Sequence, residues 1–100
     1  MLKVNRDGSL EIYRRDAFSL LCNSNEKLDA DNLYFYMFNE ENEIVLEKKA
    51  VKNEENTFFV FSSDNTNLIP NLYSFVIIYN IDELNRTVLH QNTLKVKNCI

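Results

Sequence analysis

Apolar and polar residues alternate along most of this chain with a period of two, and patterns with a helical period are scarce. Alternation of this kind is typical of β-strands that bury one face. It predicts strands, in chain order, at Met1–Val4 (a short edge strand), Leu10–Arg14, Ala17–Cys22, Leu33–Phe38, Glu43–Val51, Thr57–Ser62, Leu72–Tyr79, and a last strand over Arg86–His90 and Thr93–Val96. We therefore expect an all-β fold of about seven strands, a β-sandwich, with a small barrel as the main alternative.

The alternation also predicts which side chains face the core. Leu10 and Ile12 should share one face of the first strand, and Ile44 and Leu46 should point inward. The last strand is expected to be interrupted by a bulge at Gln91–Asn92. The expected core comprises Phe18, Leu20, Cys22, Leu33, Phe35, Met37, Phe59, Phe61, Tyr73, Phe75 and Ile77.

The stretch Asn65–Tyr79 holds the only proline and the longest apolar run of the chain. Capping residues before Leu68 predict one helical turn that crosses the end of the sandwich. Pro70 fixes its own φ, and Asn71 is expected to adopt a positive φ in the turn that follows. The stretch thus predicts a turn that leads into a central strand.

Composition narrows the class of protein. One hundred residues, of which 45% are hydrophobic, are enough for one globular domain over residues 1–100. The net charge of −4 argues against non-specific nucleic-acid binding, which needs clustered Lys and Arg. No apolar run is long enough to span a membrane, and the first residues do not resemble a signal peptide. Cys22 and Cys99 are expected to be free thiols.

Candidate chemistry is weak in this sequence. Asp29, Asp31, Glu40, Glu41 and Glu43 lack the spacing of a calcium-binding loop, so they are better explained as solvated turn charges. The single histidine, His90, could act as a base for Cys22 or Cys99 only with a geometry that the sequence does not reveal. We expect no cofactor, no metal and no enzymatic activity.

Three segments carry a resemblance to a known family. The first runs from Leu10 to Leu20 and contains Arg14-Arg15-Asp16-Ala17-Phe18, and the last is Arg86-Thr87-Val88-Leu89. The middle segment contains Asp64, Thr66, Leu68, Pro70, Asn71, Tyr73, Phe75 and Ile77. Together they resemble the immunoglobulin-like N-terminal domain of phage baseplate upper proteins and its free-standing prophage relatives. The resemblance implies an immunoglobulin-like antiparallel β-sandwich.

Two positions, Arg15 and Asn71, depart from the pattern of that family, whereas Tyr73 fits an immunoglobulin-like sandwich. Arg15 and Asn71 stand where the family usually has Gly; Asn tolerates left-handed backbone better than Arg, so the first corner is expected to differ locally. Tyr73 resembles the tyrosine corner of immunoglobulin sandwiches, in which the hydroxyl binds upstream backbone. Phe75 would take the place of the second immunoglobulin cysteine, so apolar packing must replace the inter-sheet disulfide.

Two strands have apolar residues on both faces. If Phe35 and Phe75 point inward, their neighbours point outward, and these two strands are neighbours in an immunoglobulin-like sandwich. The predicted interface residues are Tyr34, Tyr36, Phe38, Val76 and Ile78, and the predicted structural residues are Pro70, Asn71, Tyr73 and Phe75. Such a patch typically marks an interaction site, unless a terminus or loop covers it. Phe58 and Val60 could form a second patch on the other sheet.

The resemblance and the patch lead to one main function and two alternatives. The resemblance implies a structural protein of a phage or prophage tail or baseplate, a virion component assembled in the bacterial cytoplasm. It would bind other tail proteins, or a second copy of itself, through the apolar sheet face. The alternatives are a carbohydrate- or cell-surface-binding module that uses Tyr34 and Tyr36, and a small intracellular inhibitor that uses the acidic surface.

Overall fold

The computed structural model describes residues 2–22, 30–53 and 56–98. These residues form nine β-strands and one short 3-10 helix, so the predicted all-β class is confirmed. The strands are β1 (Lys3–Val4), β2 (Leu10–Tyr13), β3 (Phe18–Cys22), β4 (Leu33–Phe38), β5 (Ile44–Lys49), β6 (Val51–Asn53), β7 (Asn56–Phe61), β8 (Asn71–Asn80) and β9 (Arg86–Lys97), and the 3-10 helix is Ala30–Asn32.

The strands form two sheets that pack face to face. The larger sheet has six strands in the order β1-β2-β9-β8-β4-β5, and the smaller has three in the order β3-β7-β6. Neighbouring strands are antiparallel except β2 and β9, which are parallel. As predicted, β4 and β8 are neighbours in the larger sheet. The larger sheet therefore ends at the two-residue strand β1 on one side and at β5 on the other.

The core lies between the sheets and has the composition that the alternation predicts. Eight of the predicted core residues are buried, and Phe18, Leu20 and Cys22 are partly buried against them. Leu10 and Ile12 face the core together, as expected, beside Leu94 and Val96 of the parallel neighbour β9. Apolar side chains at every second position of both sheets thus meet in one layer.

The predicted strand Glu43–Val51 is in fact two strands in different sheets. β5 belongs to the larger sheet and β6 to the smaller one, and Ala50 lies between them. Ala50 is buried, and its amide donates to the carbonyl of Leu33 at 2.9 Å. Its small side chain allows the chain to pass from one sheet to the other without a large group in the corner.

The larger sheet contains two bulges, and neither lies at Gln91–Asn92, where one was predicted. Met37 pairs with Leu46 and Phe38 with Ile44, so Val45 is an extra residue and Ile44 faces outward. The inward orientation expected for Ile44 is therefore wrong. In the last strand, β9 runs unbroken through Gln91–Asn92, and the extra residue is Leu89.

Positive φ angles also fall differently from the prediction. Among the described residues they occur at Gly8, at Asn42 (61°) and at Arg15 (72°), but not at Asn71. Asn71 instead begins β8, and its side chain accepts a bond from the Leu72 amide at 2.8 Å. The left-handed corner is Arg15, a position that an unbranched side chain can occupy at moderate cost.

The end of the sandwich is held by the turn between β7 and β8. Thr66 is 1% exposed, and its hydroxyl donates to the carbonyl of Asp16 at 2.6 Å. In return, the amide of Arg15 donates to the carbonyl of Thr66 at 3.1 Å. The side chain of Arg14 adds a bond to the side chain of Asn67 at 2.9 Å. Two segments fifty residues apart are thereby joined at one buried threonine.

Replacing Thr66 with valine should destabilise the fold by about 1–1.5 kcal/mol, because the shape is kept and the hydroxyl bond is lost. Denaturant unfolding measures the difference. The control is Thr87→Val, at an exposed position of β9, where a change within about 0.5 kcal/mol is expected. A Thr66→Val protein as stable as the control would show that the buried bond does not stabilise this corner.

The outer edge of the larger sheet carries an ion cluster around Glu11. Its carboxylate accepts from the Asn5 side chain at 3.0 Å and lies 3.5 Å from Lys97 and 3.7 Å from Lys3. The hydrogen bond from Asn5 is the main cause that lowers the pKa of Glu11. Burial opposes this effect, and the positive charges of Lys97 and Lys3 add to it. The group thus connects β1, β2 and β9.

Because the pKa of Glu11 is lowered by folding from an ordinary value of 4.5, its ionised form stabilises the protein above that pH. This stabilisation should be lost as the pH falls through the lowered value. We expect Glu11→Gln to be less stable than the native chain at neutral pH, and the difference to shrink as the pH falls below 4.5. Thermal unfolding across an acid titration measures this; a difference that does not depend on pH would contradict it.

Candidate interaction surface

The five predicted interface residues lie together on the outer face of the larger sheet. Tyr34 pairs with Ile78 and Tyr36 with Val76 across β4 and β8, and Phe38 is the next outward residue of β4. We call these five residues the aromatic patch: Tyr34, Tyr36, Phe38, Val76 and Ile78. Their inward neighbours, Phe35 and Phe75 among them, are buried, so the alternation of both strands follows the prediction.

The side chains of the aromatic patch cover one another. The rings of Tyr34 and Tyr36 are stacked, with centroids 6.0 Å apart and planes at 19°. Four of the five residues are half-buried, and Ile78 is only 8% exposed. Ile78 therefore offers little surface, contrary to expectation.

Three apolar residues around the patch are more exposed than the patch itself. Ile44 is 56% exposed, Leu72 55% and Val88 53%. Leu72 follows from the alternation of β8, and Val88 from its pairing with Ile78. Ile44 could not be assigned to this face from sequence, because its direction depends on the bulge at Val45. The apolar surface thus reaches across four strands.

Charged side chains surround this apolar centre. Glu47 and Lys49 of β5 lie opposite Tyr36 and Tyr34. Burial, together with the nearby charge of Glu47, raises the pKa of Tyr36, so its hydroxyl remains protonated at neutral pH. At the far side, Lys95 lies opposite Leu72.

The hairpin between β4 and β5 is acidic. Asn39 organises it, because its side-chain oxygen accepts from the amides of Glu41 and Glu43 at 2.9 and 3.0 Å. Glu40 accepts from the side chain of Asn71 at 2.9 Å, which brings the hairpin close to the start of β8. The sheet face therefore has an acidic corner at this hairpin and a basic corner at Lys95.

The predicted structural residues keep β8, the strand that carries two of the five patch residues, in place. Tyr73 is 6% exposed, and its hydroxyl donates to the carbonyl of Ile69 at 2.5 Å. The predicted bond to upstream backbone is thus present. Pro70 precedes β8 in the turn, and Phe75 stacks on Phe35 with centroids 5.3 Å apart.

Removal of the Tyr73 hydroxyl, by Tyr73→Phe, should destabilise the protein by about 1–1.5 kcal/mol, since a partly buried bond is lost while the ring stays. Tyr13→Phe is the control, because Tyr13 is 40% exposed and its ring contact with Lys97 is kept. Both are compared by denaturant unfolding. Equal stabilities of the two variants would argue against an anchoring role for the Tyr73 hydroxyl.

A second apolar surface lies on the outer face of the smaller sheet. Leu21 pairs with Phe58 of β7, which pairs with Val51 of β6. Leu21 is 53% exposed, Val51 44% and Val60 43%, whereas Phe58 is half-buried. The outward direction expected for Phe58 and Val60 fits this arrangement. The surface is narrower than the aromatic patch, because this sheet has only three strands.

Cys22 and His90 line the same cavity of about 440 Å³, between β3 and the side of β9. Burial raises the pKa of the Cys22 thiol to about 11, so the thiol is protonated and a poor nucleophile at neutral pH. His90 is instead engaged with the turn before β2, where its Nε2 lies 3.1 Å from the carbonyl oxygen of Gly8. Cys99, the other predicted partner of His90, lies outside the described residues.

The acidic residues do not converge on one point. Across residues 2–22, 30–53 and 56–98, no group of three or more His, Cys, Asp or Glu side chains is arranged to hold a metal ion. Asp29 lies outside these ranges, and Asp31 lies 3.6 Å from Lys49. Within the same ranges, no helix has the length and apolar character needed to cross a membrane.

No protein-family model and no curated protein matches the chain.

Proposed function

We propose that this chain is a non-enzymatic structural module of a phage or prophage tail or baseplate, and that it docks on other proteins through the aromatic patch. The observation that carries the proposal is the apolar outer face of the larger sheet. A central sheet face in a protein of this size is expected to be polar where it meets water. Here it carries two tyrosines and a phenylalanine, surrounded by exposed Ile44, Leu72 and Val88.

We also propose that the sandwich is immunoglobulin-like. The order β9-β8-β4-β5 in one sheet and β3-β7-β6 in the other corresponds to strands G-F-C-C′ and B-E-D of a variable-type immunoglobulin domain. The bond from Tyr73 to upstream backbone supports the same assignment, because it corresponds to a tyrosine corner.

The resemblance to baseplate domains gains support from two features of the first corner. Arg15, where that family usually has Gly, has the left-handed φ that favours glycine. The corner also binds Thr66, so two of the segments that carry the resemblance contact each other. The assignment to a tail or baseplate rests on this resemblance, whereas the docking role rests on the exposed face.

The chemistry of the patch suits protein–protein docking. Tyrosine is enriched at the centre of interfaces, because its ring buries a large apolar area while its hydroxyl still forms hydrogen bonds. The Tyr34 and Tyr36 rings are held by stacking and by the neighbouring strand, so little conformational freedom is lost on binding. A partner that covers the patch would also cover Leu72 and Val88.

Truncation of the central ring tests this function. In a phage or prophage that encodes the chain, Tyr36→Ala should weaken association with the tail by about 30-fold, the equivalent of about 2 kcal/mol for an interface anchor. Quantitative mass spectrometry of purified tail particles measures how much of the chain is incorporated. The matched control is Phe58→Ala, a half-buried aromatic residue on the outer face of the smaller sheet.

Two results would contradict the proposal in different ways. If the native chain is absent from purified tail particles, the tail or baseplate role is wrong. If Tyr36→Ala enters the particles as well as the Phe58→Ala control does, the docking surface is wrong. Thermal unfolding of both variants shows whether a loss of incorporation reflects a loss of folding.

The stacked tyrosine rings favour one second candidate, a carbohydrate-binding module. Aromatic rings exposed on a sheet face can stack against the apolar face of a sugar. Binding of the native chain to a glycan array, abolished by Tyr34→Ala and Tyr36→Ala, would favour this candidate over protein docking.

A further inference from the structure

We propose that the aromatic patch docks on the same patch of a second copy of this chain, about a two-fold axis that runs along the strands between β4 and β8. This inference rests on the proposed use of the patch for docking and identifies one occupant. It is drawn from the distribution of charge at the two corners of the sheet face. An interface of this type is self-complementary, so each contact occurs twice.

The axis determines which strands meet. Consider two identical sheet faces packed together about a two-fold axis parallel to the strands. The rotation reverses the left-to-right order of the strands, but each residue keeps its height along the strand direction. β4 of one copy then covers β8 of the other, and β5 covers β9. Since aligned sheets cross at about 30°, the axis would lie about 15° from the strand direction of each copy.

The strand register then brings apolar groups together. Tyr36 and Val76 lie at the same level of the sheet, so Tyr36 of one copy would contact Val76 of the other. Tyr34 and Ile78 form the next such level. On the outer strands the apolar residues would meet polar ones: exposed Ile44 would be covered by Thr93 of β9 of the second copy, and exposed Val88 by Lys49 of β5.

The charged corners decide the direction of the axis. Lys95 lies opposite Leu72, and the bond between Glu40 and Asn71 places the acidic hairpin at nearly the same level, on the other side of the axis. Each Lys95 would therefore meet the acidic hairpin of the other copy, where Glu41 is exposed. An axis across the strands would instead place Lys95 near Arg86 of the second copy and bring like charges together.

Both corners are available for such a contact. Among the described residues, Lys3 and Lys97 pair with Glu11, but Lys95 has no ion-pair partner. The Glu41 side chain likewise has no partner there, although its amide is bonded to Asn39. Two unpaired opposite charges at matching positions would add orientation specificity to an apolar contact.

The area of the face suits a reversible dimer. Four strands at about 4.8 Å spacing and eight residues at about 3.4 Å each give roughly 500 Å² on each copy. A total near 1,000 Å² is at the lower end for specific interfaces, so we expect a dissociation constant in the micromolar range.

A charge exchange tests the arrangement. Sedimentation equilibrium of the purified full chain should give a dimer that Lys95→Glu and Glu41→Lys each weaken about tenfold or more. The double variant Lys95→Glu/Glu41→Lys should restore the dissociation constant of the native dimer, because the attraction between positions 95 and 41 is re-formed with the two charges exchanged. Lys52→Glu is the control: it makes the same change of charge at an exposed position of the smaller sheet, and it should leave dimerisation unchanged.

Each possible result is informative. A native chain that is monomeric throughout the micromolar range overturns the inference, and so does a dimer that Tyr36→Ala does not weaken. A double variant that is no better than the single ones overturns the axis. A monomeric chain that still enters tail particles would overturn this inference alone, whereas a dimeric chain absent from particles would overturn the tail role alone.

Discussion

The two sheets are held together chiefly at Phe35. Its ring, fully buried on β4, contacts Phe59 and Phe61 of the smaller sheet with centroids 5.7 and 5.0 Å apart, and it stacks on Phe75 of its own sheet. Such pairs contribute about 0.5–1.5 kcal/mol each beyond the burial of their area. Among the described residues Cys22 is a free thiol and no disulfide joins the sheets, so ring packing performs there the role that an inter-sheet disulfide has in other sandwiches. The position of β4 and β8, and with it the aromatic patch on their outer face, depends on this contact.

Strand positions and burial could be predicted because they follow from local alternation. Leu33–Phe38 was predicted with the bounds that the structure shows, and the inward and outward faces of β4 and β8 were assigned correctly. The features that were missed depend on distant neighbours. Ile44 faces outward because of how β5 pairs with β4, and the exchange of sheets at Ala50 depends on space between the sheets. Neither feature changes the period-two alternation of apolar and polar residues in the sequence.

The candidate surface was predictable in part for the same reason. Alternation placed the patch residues on the outer face of each strand, and the immunoglobulin-like resemblance placed the two strands side by side, but neither could show that Ile78 is covered by its neighbours. The acidic hairpin was recognisable as a turn, whereas its closeness to the start of β8 depends on the bond from Asn71 to Glu40. Positive φ at Arg15 rather than Asn71 likewise results from a tertiary contact, since Thr66 accepts the Arg15 amide.

The two edges of the larger sheet have a consequence for how this protein can associate. β1 offers only two residues for pairing, and β5 is irregular at Val45 and carries Glu47, Lys48 and Lys49 along its length. Short, bulged and charged edges resist the addition of a further strand, which is the route to open-ended sheets and fibrils. The addition of strands at the edges of the larger sheet is thus disfavoured, whereas its outer face is apolar. A protein built in this way can form closed, finite contacts at high local concentration without polymerising.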